Sequence, residues 1–298
     1  MINKMGLKKK LTNKSLPNKD RQAFSLLEMS VILLILSVFI GAILSFSNII
    51  KSSSITSARS LTKNSIVNDI NGLILWLDSV SVESFDNEDI YDGDRVGNWN
   101  DIKESYLKNY IATQSNSSKQ PTYKRSVVNR LPALYFGNST FLQIADFTAN
   151  AYLTIFVVGK FEDSNFFIEH STNSNSNYGF MFQGGYNSMS PAIVSRSSSS
   201  QAGQPSPPGW FSKNRPAIGV MRYDGSNISY RLNSNDFVNE ADSDAVNNIV
   251  KSNLYIGSRG GSSMFSKGYF GEIIIYDRAI SDDDVDNIVQ YLTNKWGI

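Results

Sequence analysis

The sequence contains no cysteine and a single histidine, His170. Without cysteine the chain forms no disulfides and no thiolate metal sites, and its redox compartment is left open. One histidine argues against both a Ser-His-Asp triad and a His-rich metal centre. Charge is also sparse, at 18% of residues, and the formal net charge of +1 conceals an asymmetry. Seven basic residues (Lys4, Lys8, Lys9, Lys10, Lys14, Lys19 and Arg21) precede residue 24, against the single acid Asp20. Residues 71–298 hold 18 basic and 24 acidic side chains, a balance of −6. A nucleic-acid partner requires a basic face on the folded body, and the body is acidic, so none is expected.

The residues that are abundant suit a chain with a substantial buried core. The 298 residues allow one large domain with extra elements, or two modest domains. Hydrophobic residues make up 41% and aromatics 12%, enough for a substantial core with a leaning toward β structure. Met29 to Ile50 is an uncharged run of 22 residues. As a helix it rises about 33 Å, the thickness of a bilayer's hydrocarbon core. The basic arm before it stays cytoplasmic by the positive-inside rule, which places the residues beyond Ile50 outside. A plain signal-anchor is one alternative. A cleaved secretory signal is another, but the apolar run is too long and no small-x-small site closes it.

Glu28 stands at the start of this run, in Arg21-Gln22-Ala23-Phe24-Ser25-Leu26-Leu27-Glu28. A carboxylate at the edge of a spanning helix is costly and calls for a partner. The segment resembles the type IV prepilin leader: basic arm, small residue, Phe, short apolar stretch, Glu. The resemblance implies cleavage by a prepilin peptidase between Ala23 and Phe24, N-methylation of Phe24, and pairing of Glu28 with the terminal ammonium of a neighbouring pilin-like subunit. Such pairing would neutralise both charges in a low-dielectric setting. Ala23 departs from the family's usual Gly. Residues 51–70 carry Ile55, Ala58, Leu61 and Ile66 at loosely helical spacing without Pro or Gly. They extend the helix from Ser25 to near Asn68, with a Ser-rich flexible tether as the alternative. The implied organisation is a leader over 1–23, a pilin-type helix over 24–70 and a globular domain over 71–298.

From Asn71 onward the pattern turns to short extended runs. The candidate strands are Leu73–Leu77, Ala133–Phe136, Leu153–Lys160, Phe166–Glu169, Gly179–Gln183, Ile218–Tyr223, Ile228–Leu232, Leu254–Ile256 and Tyr269–Tyr276. They are separated by Gly, Asn, Asp, Ser and Pro clusters, and Asp224-Gly225 signals a hairpin. Many short strands without intervening helices predict a two-sheet sandwich. Ser281 as N-cap with Asp284 opens a closing helix, whose apolar stripe is Val285, Ile288, Val289, Leu292 and Trp296. That helix is expected over an end or edge of the sandwich, with Trp296 in the core. The stretch Ser197–Pro208 reads as a long exposed loop.

The runs Gly72–Asp78, Val96–Asp101, Pro132–Phe136, Leu153–Val158, Gly271–Ser281 and Lys295–Gly297 resemble bacterial laminin-G-like, concanavalin A-type jelly rolls. The likeness covers residues 71–298 and its motifs are mainly structural, specifying fold better than activity. It implies a mainly β jelly roll, behind a pilin-type transmembrane helix and ahead of a short C-terminal helix.

Signals for catalysis are weak. Glucanases of this fold set acids on alternate residues of one strand. The nearest match, Glu240-Ala241-Asp242-Ser243-Asp244, lacks flanking apolar alternation and reads as a solvated loop. For sugar binding the candidates are Tyr186, Trp210 and Phe211, each with a packing role as the alternative. For calcium the candidate oxygen donors are Asp146, Asn233 and Asp236; no other cofactor is implied. The reading is therefore a non-enzymatic pilin-like or pseudopilin-like subunit of a type IV pilus or type II secretion-like machine. It would sit as a single-pass protein in the inner membrane, N-terminus cytoplasmic, and present its jelly roll on the periplasmic or extracellular side to glycan or a surface protein. The rival is an anchored lectin module or glycosidase that never polymerises.

Overall fold

The computed structural model describes residues 25–87, 89–104, 109–150, 152–163, 166–170, 179–183, 192–194, 201–202, 212–241 and 252–298. The chain divides into two units, Met1–Asn48 and Ile49–Ile298.

Helix α1 runs without a break over Leu26–Lys63. Its stretch Leu26–Ile43 is long and apolar enough to cross a membrane, and none of it is buried within the protein. The Ser hydroxyls there do not oppose such a setting, because each bonds a carbonyl of its own helix: Ser30 to Leu27 O and Ser37 to Leu34 O, both at 2.8 Å. The next, Ser-rich stretch is also helical, not a tether. Ser54 and Thr56 donate to the carbonyls of Ile50 and Ser52, each at 3.0 Å, so their polar groups are satisfied inside the helix. Helix α1 stops at Lys63, short of the expected Asn68; the segment to Gly72 is turn and bend.

The second unit is a β-sandwich. Its strands are β1 (Leu73–Asp78), β2 (Asn98–Asn100), β3 (Ile111–Thr113), β4 (Thr122–Val128), β5 (Leu131–Phe136), β6 (Leu142–Phe147), β7 (Leu153–Asp163) and β8 (Phe166–His170). They continue with β9 (Gly179–Gln183), β10 (Ala192–Val194), β11 (Gln201–Ala202), β12 (Pro216–Tyr223), β13 (Asn227–Leu232), β14 (Val238–Ala241), β15 (Ser252–Ile256) and β16 (Lys267–Tyr276). One sheet has the order β14-β13-β12-β7-β16-β5-β4, with β1 also on β16; the other has the order β11-β10-β9-β8-β15-β6-β3-β2. Each is eight-stranded. The mainly β, jelly-roll-like sandwich expected from the sequence is the observed fold.

Two hydrophobic clusters hold it together. The first lies between the sheets and includes Leu134, Phe136, Ile155, Val157, Ile273 and Ile275 from one, and Leu142, Ile144, Ile168, Phe180, Leu254 and Ile256 from the other. The second covers the far face of the first sheet, where Trp76, Phe156, Val158, Ile218, Val220, Ile274 and Tyr276 meet Ala58 and Val67. Helix α2 (Asp282–Trp296) closes the same cluster with Val285, Ile288, Val289, Leu292 and Trp296. Thus α2 packs on a sheet face and not over an end or edge, because β7, β12 and β16 expose a second apolar face that only a helical layer can bury. The capping expectation holds: Ser281 Oγ accepts the Asp284 N–H at 3.1 Å.

Two loop readings are corrected. Val238–Ala241 forms the edge strand β14, with Glu240 opposite Ile228, so Glu240 and Ala241 are in a strand; Asp242 to Asp244 lie outside the described residues. Gln201–Ala202, within the stretch read as an exposed loop, pairs with β10.

Candidate functional site

At the start of α1, Glu28 and Ser25 form a reciprocal cap. The Ser25 N–H donates to Glu28 Oε2 at 2.8 Å, and the Glu28 N–H donates to Ser25 Oγ at 3.2 Å. This is the S-x-x-E capping box, and it satisfies two of the amide donors that a helix start leaves without partners. Glu28 therefore has a local role independent of any second subunit, one the sequence spells out in Ser25-Leu26-Leu27-Glu28. Ala23 and Phe24 lie outside the described residues.

A second polar constellation lies deep in the second unit, under the helical layer. Glu272 on β16 is fully buried and accepts four hydrogen bonds. Trp76 Nε1 and Tyr291 Oη donate to Oε1, and Trp296 Nε1 and Lys295 Nζ donate to Oε2, all at 2.8 Å. Lys295 Nζ also stands 2.8 Å from Asp78 Oδ2, and Thr62 of α1 donates to the same oxygen at 3.2 Å. Burial raises the Glu272 carboxyl above its ordinary value, and Lys295 pulls it back down. Burial likewise pushes the Tyr291 hydroxyl up. The cluster ties α1, β1, β16 and α2 together. With Asp78, Glu272 and Lys295 at 0% side-chain exposure, no substrate reaches it.

The third feature is a row on the outer face of the second sheet. Cross-strand register places Asn98 opposite Thr113, Thr113 opposite Gln143, Gln143 opposite Tyr255, and Tyr255 opposite Glu169. The residues beside them, Trp99, Ala112, Leu142, Ile144, Leu254 and Ile256, point into the core. The connection from Gly257 to Ser266 closes one end of the row: the Gly260 N–H donates to Glu169 Oε2, and the Glu169 side chain is buried. The other end is open. There a cavity of about 510 Å³ is lined by Gly97, Asn98, Thr113, Gln114, Gln120, Phe141 and Gln143, together with Ser115. A second cavity of about 380 Å³ adjoins it and shares Gly97 and Asn98.

Tyr186, Trp210 and Phe211 lie outside the described residues. Of the calcium donors expected from sequence, Asp146 is on β6 in the second sheet, whereas Asn233 and Asp236 come after β13 in the first. Asn233 Oδ1 accepts the Ile218 N–H at 2.8 Å, so its oxygen closes the β12–β13 hairpin. Among the described residues no three His, Cys, Asp or Glu side chains gather into a metal-holding group. His170 is a core residue. Its Nε2 lies 3.1 Å from Phe147 O, its ring stacks on Phe180, and burial lowers its pKa, favouring the neutral imidazole.

No protein-family model matches the chain, and no curated protein sequence does. Among solved structures, the chain is similar to a sialidase of Trypanosoma rangeli in complex with the inhibitor DANA, at 12% identity and TM-score 0.45, over 74% of this chain and 33% of that one. It is similar to a GH54 α-L-arabinofuranosidase at 12% identity and TM-score 0.49, over 68% and 51%. It is also similar to domain 4 of a GH43 extracellular arabinanase of Geobacillus stearothermophilus in complex with arabinotriose, at 12% identity and TM-score 0.43, over 73% and 98%. The chain thus spans about a third of the sialidase and about half of the arabinofuranosidase. At these scores the likeness is one of strand layout and passes no activity to this chain.

Proposed function

We propose that the chain is a membrane-anchored, pilin-like subunit that presents a binding β-sandwich outside the cytoplasmic membrane and catalyses no reaction. One observation supports this most. Helix α1 is continuous from Leu26 to Lys63, and Ala58 and Thr62 near its end are buried in the same unit as the sandwich. Ala58 belongs to the cluster on the outer face of the first sheet, so the last turns of the helix are part of the sandwich unit itself. The leader-like sequence around Ala23, Phe24 and Glu28 agrees. The Asp78 and Glu272 carboxylates are buried beyond reach of a glycosidic bond, so neither serves as a hydrolytic acid or base.

A second reading, an anchored carbohydrate-binding module that never polymerises, is favoured by the Ser25–Glu28 cap, which satisfies the Glu28 carboxylate without a neighbour. The two readings part at Glu28. Glu28→Gln keeps a hydrogen-bonding cap and removes the charge; Glu28→Val removes both. The subunit reading expects both variants to insert into the membrane and both to be lost from any filament or secretion complex, with a mature N-terminus at Phe24 by mass spectrometry. An intact Met1 in native membranes, or co-purification of both variants at the wild-type level, refutes it in favour of the non-polymerising anchor.

A further inference from the structure

We propose that the open end of the outer face of the second sheet is a binding site for a neutral oligosaccharide, centred on Gln143. The proposal deepens the binding role above and rests on that part of it alone. The side chains of Asn98, Gln114, Gln120 and Gln143 bring four carboxamides to one cavity, with the hydroxyls of Thr113 and Ser115. No carboxylate, ammonium or guanidinium is among the lining residues. A carboxamide offers an acceptor oxygen and two N–H donors in one plane, which matches the donor-acceptor pair of adjacent sugar hydroxyls. An anionic ligand would find no cation in that lining. An apolar peptide would find little but Phe141, itself only 9% exposed and flanked by Lys119 Nζ at 5.7 Å and the Tyr255 ring at 6.2 Å. The ring is a wall, and the ligand is held by hydrogen bonds.

The amides are also held in place before any ligand arrives. Gln120 Nε2 donates to Gln114 O at 2.7 Å, Gln114 Oε1 accepts the Asn116 N–H at 3.0 Å, and Asn98 Nδ2 donates to Asp86 Oδ2 at 2.6 Å. Gln114 Nε2 also donates to Phe141 O at 3.5 Å; each contact uses one of a carboxamide's four hydrogen-bonding positions, and those that remain can serve a ligand at low cost in side-chain entropy. Among the described residues the Gln143 carboxamide has no protein partner, although it stands half-buried at the centre of the row. Gly97 leaves the space that the site needs, since a Cβ there would lie 2.8 Å from Gln120 Nε2. The adjoining cavity shares Gly97 and Asn98 but is also lined by Asp86, Asp94 and Arg95, so only the Gln143 cavity itself is free of charged side chains, and the site is confined to it.

The test uses the full chain in detergent micelles and a panel of neutral gluco-, manno-, galacto-, xylo- and arabino-oligosaccharides at millimolar concentration, with saturation-transfer NMR and then titration. At least one member should bind. Gln143→Ala and Gln120→Ala should each weaken that binding about fivefold to tenfold while leaving the unfolding midpoint within error of wild type. Gly97→Ala, which crowds Gln120, should weaken it as well. Silence across the neutral panel overturns the proposal, as does binding that both glutamine variants retain in full, or binding confined to acidic polysaccharides and abolished by salt. Processing at Phe24 and the behaviour of the Glu28 variants are read separately, so failure here leaves the anchored-subunit reading standing.

Discussion

Lys295→Met removes the one cation that bridges Asp78 and Glu272, and its cost can be worked from the geometry. Lys295 Nζ lies 2.8 Å from an oxygen of each carboxylate, and none of the three side chains is exposed. Breaking a buried ion pair by deleting one partner costs about 3–5 kcal/mol, because the remaining charge stays desolvated. In a unit the size of Ile49–Ile298, that corresponds to a melting point lower by about 6–20 °C. Glu272 offers partial relief. Its folded-state pKa already lies above the ordinary 4.5 through burial, and loss of Lys295 removes the attraction that holds it down. A carboxyl whose folded pKa exceeds its unfolded pKa destabilises the fold when both states are ionised, and that penalty disappears as pH falls through the folded value. The deficit of Lys295→Met should therefore be largest near pH 8 and shrink steadily toward pH 5. Urea unfolding monitored by tryptophan fluorescence suits the measurement, because the Trp76 and Trp296 indoles both donate to Glu272. A variant within about 1 kcal/mol of wild type at pH 7, or a deficit that grows on acidification, would show that the lysine does not hold this cluster together.

Two further outcomes test the same layer. Thr62→Val removes the α1 hydroxyl that donates to Asp78, and should cost about 1–2 kcal/mol while speeding amide exchange in the last turns of α1 more than in β16. Gly271→Ala places a methyl 2.6 Å from Trp296 Cη2, and should cost about 1–3 kcal/mol by overpacking; restoration by Trp296→Phe in the double variant would identify that contact as the cause.

How much of the fold is legible in the sequence depends on how each strand is buried. Strands β7 and β16 read as nearly unbroken apolar runs, Leu153–Val158 and Ile273–Tyr276, and both are evident from sequence because both faces are covered. Two polar residues interrupt such context: Asp78 ends Leu73–Asp78 and Glu272 opens Glu272–Tyr276. These are the carboxylates of the buried cluster, and a lone acid within a continuous apolar strand is the signal available for it. Their partners Tyr291 and Lys295 lie in a helix more than 200 residues from β1, a pairing no local pattern encodes. The Ser25–Glu28 cap, by contrast, is fully local. It is easily missed because the same four residues also fit a leader motif, and the two roles share one spelling.

The strands that escape a sequence reading, among them β2, β3 and β6, share a reason that bears on function. β2 and β3 are only three residues long, and all three strands alternate: Asn98-Trp99-Asn100, Ile111-Ala112-Thr113 and Leu142-Gln143-Ile144 put one residue in the core and its neighbours outside, or the reverse. Such segments lack the density of β-branched and aromatic residues that marks a strand covered on both faces. The alternation reflects a division of labour between the sheets. The outer face of the first sheet is used to bind α1 and α2, so its strands must be apolar on both sides. Among the described residues no α-helix packs on the open end of the second sheet, so its outward positions there can be Asn98, Thr113 and Gln143. The helix-covered face and the Gln143 row thus lie on opposite sheets of the sandwich. A ligand on the Gln143 row is then separated by the whole inter-sheet core from the Glu272 cluster, and neither Lys295→Met nor Thr62→Val should alter its affinity while the unit remains folded.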